Sequence, residues 1–288
     1  MRTWRDAVRE LEQDRARGAS QLLELALDAL ALAANEAHGQ SPAAYAAHFS
    51  AAAGAVAAAR PTMVAIGACA RRVLQQVQEA AGGHGSAEAI RRSALAAIDR
   101  VRAQAREARR QAITRAAELA ATADCIVTCS FSSTVVEAIA LAAGCAPHLQ
   151  VRVLASRWQG RSYGAATAAA LQERHVHCQV FDDDALAAAV AGARLALVGA
   201  DAVTEHGTLI NGTPSLALAR ACRRARPPVP FLAVCESLKV VPGVQALEPG
   251  FDAVPAALVT GFVSEHGVAS PEGVAAWRSG SPAEAGPP

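Results

Sequence analysis

The chain has 288 residues, enough for one large domain or two smaller ones with a core of real size. Hydrophobic residues make up 52% and aromatics only 4%, the excess being alanine, which suits closely packed helices and excludes a disordered chain. A formal net charge of +1 excludes any general attraction to nucleic acid or to an anionic membrane.

The opening MRTWRDAVRELEQDR is charged and lacks the apolar core of a secretory signal. No uninterrupted apolar run is long enough to span a bilayer. Up to about residue 120 the pattern is helical. Leu22, Leu23, Leu25, Leu27, Leu30 and Leu32 predict a strongly buried helix after the turn-like Arg17-Gly18-Ala19-Ser20. Ser41-Pro42 starts the next one, with serine as N-cap and proline in the first turn. Another follows Arg60-Pro61-Thr62. The run from Gly82 to Ser86 breaks the pattern, and a long helix spans about 87–121. Its arginines, among them Arg91, Arg92, Arg102, Arg106, Arg109 and Arg110, alternate with acids and alanines and are expected to form a solvated face.

From Asp124 short β-rich runs alternate with alanine-rich helical ones. CIVTCS, HLQVRVLAS, HCQVF, LALVGAD and PFLAVCES are the expected strands; TVVEAIALAAG, YGAATAAALQER, DALAAAVAG and ACRRAR are the expected helices. That alternation predicts βαβ units and a parallel sheet with helices on both faces. EHGTLIN interrupts it as a local turn and strand, and SGSPAEAGPP reads as a frayed tail. Ligands of an open parallel sheet bind beyond the carboxyl ends of its strands. One rim is therefore expected to carry Ser130, Ser156, Arg157, Asp182 to Asp184, Asp201 and Glu236.

Familiar cofactor motifs are missing. There is no GxGxxG after a strand, no GxxxxGK[ST] and no GxSxG elbow, so no cofactor is expected. The seven cysteines, at 69, 125, 129, 145, 178, 222 and 235, are odd in number and contain no CxxC pair. They argue against a zinc site and for a reducing cytoplasm. His175, His177 and Cys178 lie close together but have no matching carboxylate cluster, so no metal site is expected.

Seven stretches, taken together and in order, resemble one family. They are Arg17-Gly18-Ala19, Arg60-Pro61-Thr62, IVTCSFSSTVVEAI (126–139), Ser156-Arg157 with Gln159-Gly160-Arg161, VGADAVTEHGTLIN (198–211), AVCESLKVV (233–241) and the closing 251–274. The family is that of the alpha, beta and delta regulatory subunits of translation initiation factor 2B. It also contains methylthioribose-1-phosphate isomerase and archaeal ribose-1,5-bisphosphate isomerase. The resemblance implies a helical N-terminal domain (1–122), a Rossmann-like α/β domain (123–288) and homodimers made through the latter.

It also implies a phosphorylated sugar or nucleotide as ligand. The aspartate of GAD, here Asp201, is the isomerases' general acid. Their phosphate-binding groups fall on Arg17, Gly18, Ala19 and Arg60, with Asn211 and Lys239 as further ligand contacts. Phosphate calls for fixed cations and backbone N–H donors, and aldose-to-ketose isomerisation for an acid and a base in a water-poor cleft.

Three departures bear on catalysis. Where the isomerases carry THC, this chain has Thr128-Cys129-Ser130, so serine takes the place of the catalytic cysteine. Neighbouring strand residues face opposite ways, and only a bulge would rotate Cys129 inward. The family's NK is Asn211-Gly212 here, and the SRP proline is Trp158. Four positions carry two readings each. Cys129 is a buried small hydrophobe or a reactive thiol; Asp201 is a turn cap or a cleft acid. Arg60 is a surface charge or a phosphate ligand; Lys239 neutralises Glu236 or meets the ligand. Two functions stay open, a sugar-phosphate isomerase and a non-catalytic regulatory relative that senses a phosphorylated metabolite.

Overall fold

A computed structural model describes residues 2–36, 41–82, 86–244 and 247–279. The chain divides into two compact units, Met1–Glu107 and Ala108–Pro288, a division that falls inside the long helix, upstream of the expected boundary at residue 122.

The first unit is helical: α1 (Trp4–Gln13), α2 (Ala19–Glu36), α3 (Pro42–Ala59), α4 (Val64–Gly82) and the opening of α5 (Ala87–Ala120). Local chemistry sets the starts. Thr3 and Asp6 form a reciprocal capping box on α1, and Ser41 accepts the Ala44 N–H ahead of Pro42. Ser86 caps α5 through the Ala89 N–H. Residues 83–85 of the expected breaker and 280–288 of the expected tail lie outside the described residues. Leu22, Leu27, Leu30, Tyr45, Phe49 and Ile66 fill the core among fully buried alanines such as Ala29, Ala33 and Ala52, which let the helices approach closely. The arginine row of α5 is only partly solvated. Arg102 pairs with Glu24 and Asp28, Arg106 with Glu24, and Arg91 with Glu88 and Asn35.

The second unit begins with the last part of α5 and continues as β1 (Cys125–Thr128), α6 (Ser133–Cys145), β2 (Gln150–Leu154), a hairpin of β3 (Arg157–Trp158) and β4 (Arg161–Ser162), α7 (Tyr163–Gln172), β5 (Cys178–Phe181), α8 (Leu186–Val190) and β6 (Leu195–Gly199). Then come β7 (Ala202–Thr204), β8 (Leu209–Gly212), α9 (Ser215–Arg224), β9 (Phe231–Val234), β10 (Val240–Val241), β11 (Phe251–Val254), β12 (Gly261–Ser264) and β13 (Gly267–Ala269). The main sheet has the order β13-β12-β9-β6-β1-β2-β5. Every neighbouring pair is parallel except the β12–β13 hairpin, whose antiparallel edge strand departs from the all-parallel expectation.

Both faces of that sheet are covered, which is why its central strands read as unbroken apolar runs. Cys125, Val127, Ala196 and Val198 share one core with Ala189 of α8 and with Leu218 and Cys222 of α9. Ile126, Val151, Val153 and Leu197 face the other, with Ile113 and Ala116 of α5, Val135 and Ile139 of α6 and Leu171 of α7. The EHGTLIN interruption is more than a local irregularity. It supplies most of β8 in a second sheet, β10-β7-β8-β11, that branches off just past β6. Among the described residues no helix is long and apolar enough to cross a membrane.

Gly164 shows how closely α7 lies on β2. A Cβ there would sit 2.0 Å from the Leu154 carbonyl oxygen. Gly144, exposed near the end of α6, would meet nothing within 4 Å. Gly164→Ala is therefore expected to destabilise the protein by about 3 kcal/mol or more, since backbone must move. Gly144→Ala should stabilise it by about 0.5–1 kcal/mol. Urea unfolding of the two variants checks both signs.

Candidate functional site

In the second unit the strands end in a ring of polar groups. β1 runs without a bulge through Thr128, in register with β2. Cys129 therefore keeps the inward parity of Cys125 and Val127 and is 1% exposed within their core. Burial pushes its thiol up to about 12. It is a protonated group packed against Ser215, with Sγ and Oγ 3.4 Å apart. The next residue turns the chain. Ser130 has φ 62°, its N–H donates to Ser156 Oγ at 2.7 Å, and its carbonyl accepts from Thr167 Oγ1 at 2.7 Å.

Ser156 itself has φ 50° and is held from below by Asp183. That carboxylate accepts the N–H groups of Ser156 and Arg157 at 2.7 and 2.8 Å, while Asp182 pairs with the Arg157 guanidinium at 3.0 Å. Two glycines admit Ser132 and Ser130. A Cβ on Gly199 would lie 2.6 Å from Ser132 Oγ, and one on Gly212 would lie 2.3 Å from Ser130 Oγ. Two of the departures noted above are thus neighbours in space: Ser130 fills the room that a side chain at 212 would take.

Asp201 stands where the chain leaves the main sheet and enters the small one. It is half-buried, and its N–H donates to the Ile210 carbonyl at 2.9 Å, the first rung toward β8. That junction is where the apolar run of β6 ends. Gly207, with φ 75°, turns the hairpin back so that Asn211 returns to the same end of β6.

After β9, Glu236 and Lys239 form an ion pair, Nζ to Oε2 2.8 Å, with both side chains at most a tenth exposed. Charge and a side-chain hydrogen bond together join them. Burial would raise the Glu236 pKa, but the Lys239 ammonium, with a further contribution from Arg109, holds it below the usual value. Burial likewise pulls Lys239 down, and Glu236 together with Asp201 outweighs it, so the ammonium stays charged. Lys239 thus feels both carboxylates. The turn that carries the pair is tied down by Glu265, which accepts the N–H and hydroxyl of Ser237.

In the first unit the RGA turn is built on Asp14. Its carboxylate accepts the N–H groups of Ala16 and Arg17, each at 2.8 Å. Burial raises the Asp14 pKa, and these bonds with the charges of Arg17 and Arg60 bring it below its ordinary value. Arg60 is 4% exposed and donates to the Asp14 carbonyl at 2.8 Å, so the surface-charge reading does not hold. Arg17 lies 2.7 Å from Glu10 and 3.4 Å from Asp14. Gly18 and Ala19 lead into α2. The structure thus gathers Arg17, Gly18, Ala19 and Arg60 around one loop, and Ser130, Asp201, Asn211 and Lys239 around the strand ends of the second unit.

Several members of the ring escape a reading of the sequence. Ser215 opens α9 well before the ACRRAR segment, and only its spacing of four from Asn211 hints at a contact. Arg109, expected on a solvated face, is half-buried against Glu137 at 2.6 Å and Thr134 at 3.3 Å. Among the described residues no group of three or more His, Cys, Asp or Glu side chains is placed to hold a metal ion.

The profile of the Initiation factor 2 subunit family matches residues 15–248. The chain belongs to that family. Among its relatives, a putative translation initiation factor eIF-2B subunit 2-like protein of Pyrococcus furiosus is 27% identical over 185 residues, covering 58% of this chain and 66% of the relative. A ribose 1,5-bisphosphate isomerase of Methanocaldococcus jannaschii is 25% identical over 153 residues, covering 44% of this chain and 48% of its own. The chain thus spans about half to two thirds of these relatives' length. The crystal structure of the Pyrococcus horikoshii translation initiation factor eIF-2B has the same fold, with a TM-score of 0.76 at 23% identity over 93% of this chain and 97% of that one. The relatives thus include translation initiation factor subunit-like proteins and ribose 1,5-bisphosphate isomerases alike.

The Glu236–Lys239 pair generates a test. Lys239→Met would leave a buried carboxylate uncompensated and should cost about 3–5 kcal/mol at pH 7 in urea unfolding. Adding Glu236→Gln should restore most of that. The wild-type Glu236 pKa lies below 4.5, so its contribution is present above that pH and is lost as pH falls through the lowered value. In Lys239→Met the isolated carboxyl titrates higher instead. The gap between the two proteins should therefore narrow from pH 7 to pH 4.

Proposed function

We propose that this member of the initiation factor 2 subunit family is a sugar-phosphate-binding protein that moves a proton between adjacent carbons of an aldose phosphate to give the ketose. The observation that carries the reading is Asp201, half-buried at the end of β6, within the field of the buried Lys239 and on the strand whose end also receives Asn211. A half-buried carboxylate at a strand end, within hydrogen-bond reach of a bound sugar, is the kind of group that can take up and return a proton. Ser130, anchored at its N–H and its carbonyl, offers a hydroxyl to a sugar oxygen. Cys129 takes no part in this scheme, because a buried neutral thiol is neither base nor nucleophile. Arg17, Arg60 and the N–H groups of Gly18 and Ala19 are proposed phosphate contacts of the first unit.

The buried Cys129 and the serine after it favour a second reading as well. In that reading the protein senses a phosphorylated sugar or nucleotide without converting it, as a regulatory relative in translation initiation. Both readings take a homodimer, as the family resemblance implies, in the reducing cytoplasm expected from the cysteine pattern, and neither needs a cofactor.

One experiment separates them. Ribose-1,5-bisphosphate and methylthioribose-1-phosphate are incubated with the protein and followed by NMR for ketose formation. Conversion by the wild type, reduced about 10²–10⁴-fold in Asp201→Asn with binding retained, is the expected result. Tight binding without conversion selects the sensing reading, and full activity in Asp201→Asn removes that residue from the mechanism. Arg60→Ala should also abolish the thermal stabilisation that these ligands give the wild type, each variant being compared with its own ligand-free melting point.

A further inference from the structure

Asn211 is 5% exposed, and its amide is not free to turn. Ser215 Oγ lies 2.6 Å from the Gly212 carbonyl oxygen. A carbonyl only accepts, so the single hydroxyl proton of Ser215 is committed to it. Ser215 is then an acceptor toward everything else that touches it. Asn211 approaches it at 2.8 Å, and the atom that does so must be the donor, Nδ2. The Cys129 thiol, at 3.4 Å, must donate too, which agrees with a thiol held protonated by burial. The hydroxyl is satisfied on all sides, one bond donated and two accepted.

This fixes the other end of the amide. With Nδ2 turned to Ser215, Asn211 Oδ1 faces Gly199, 3.8 Å from where a Cβ on that glycine would be. Ser132 Oγ closes the same niche, 2.6 Å from that point. No donor among the described residues meets Oδ1, which also stays in reach of solvent. The niche lies at the carboxyl end of β6, two residues before Asp201.

We infer that Ser215 is a positioning residue that locks the Asn211 amide with Oδ1 toward this niche, so that a ligand atom meeting Oδ1 is a hydrogen-bond donor, a sugar hydroxyl, and not a phosphate oxygen. The claim about the ligand rests on the sugar-phosphate reading; the claim about the amide does not. An ionised phosphate oxygen against Oδ1 would set two acceptors face to face, whereas a hydroxyl completes the bond. The Oδ1 end of Asn211 thereby reads a hydroxyl of the ligand's carbohydrate part.

The chain contains two asparagines, Asn35 and Asn211, so selective ¹⁵N-asparagine labelling yields two side-chain amides that are told apart by Asn35→Gln. Without ligand, the Asn211 amide should exchange slowly in the wild type and about tenfold faster or more in Ser215→Ala, the loss of one buried hydrogen bond. Ser215→Cys, which keeps the size of the group, should exchange at a rate between the two and guards against a folding defect in the alanine variant. Ribose 5-phosphate should shift the Asn211 amide, and inorganic phosphate should leave it in place. A well-folded Ser215→Ala with an unchanged amide overturns the proposal, as does a shift by inorganic phosphate equal to that by the sugar. If ribose 5-phosphate does not bind at all, the sugar-phosphate reading falls, while the Ser215-dependent protection by itself upholds the positioning of Asn211.

Discussion

A strand sends successive side chains to opposite faces of its sheet, and in the second unit both faces are covered by helices. Within β1, β6 and β9 there is accordingly no place for polar chemistry. Whatever an apolar run leaves over must appear at its carboxyl end, where the chain breaks out of the ladder. Ser130 and Ser156, both in left-handed backbone conformations, mark two such exits, and Asp201 and Glu236 follow two more. The same rule decides the fate of Cys129. It is the last residue to obey the alternation, and that confines its thiol to the core one position before the chain turns.

Electrostatics is organised on a second principle, the neutralisation of buried charge by a neighbour. Glu236 and Lys239 are three residues apart on one turn, so their pairing is local and needs little ordering of distant chain. Asp201 and Arg109 add one charge of each sign from other segments. In the first unit, Asp14 does the same for Arg17 and Arg60. Neither arginine is an isolated cation awaiting an anion. A phosphate arriving there would share them with carboxylates, and its binding would rest on directed N–H donors as much as on net charge.

Much of this was legible beforehand where one residue type has one physical use. Ser41-Pro42 announces a helix, the runs CIVT and LALVG announce buried parallel strands, and the GAD acid marks a strand end. What was hidden depends on pairs that are distant or unlike. The second sheet is assembled from β7, β8, β10 and β11, each too short to carry a period of its own. Arg109 sits on a helix whose other arginines meet solvent or surface acids, and nothing in its spacing sets it apart from them. Ser215 stands ahead of the segment expected to be helical, and its role comes from where its one proton goes and not from its propensity. The cysteine question was posed by the sequence and answered only by the unbroken register of β1 with β2.

The branching of the second sheet from the first has a consequence for how the protein comes into being. β7 and β8 precede β9 in the chain, yet β10, which completes their edge, follows it, and β11 comes later still. The small sheet is therefore closed by segments on both sides of a strand that belongs to the large one. Asp201, Asn211 and Lys239 acquire fixed positions only in a chain that has closed both sheets. A nascent or partly unfolded molecule that has paired β1, β2 and β6 alone would hold the apolar scaffold and the serines at its strand ends, but would leave Asn211 and Lys239 unplaced. The assembled ring is thus a signature of a chain whose two sheets are both complete.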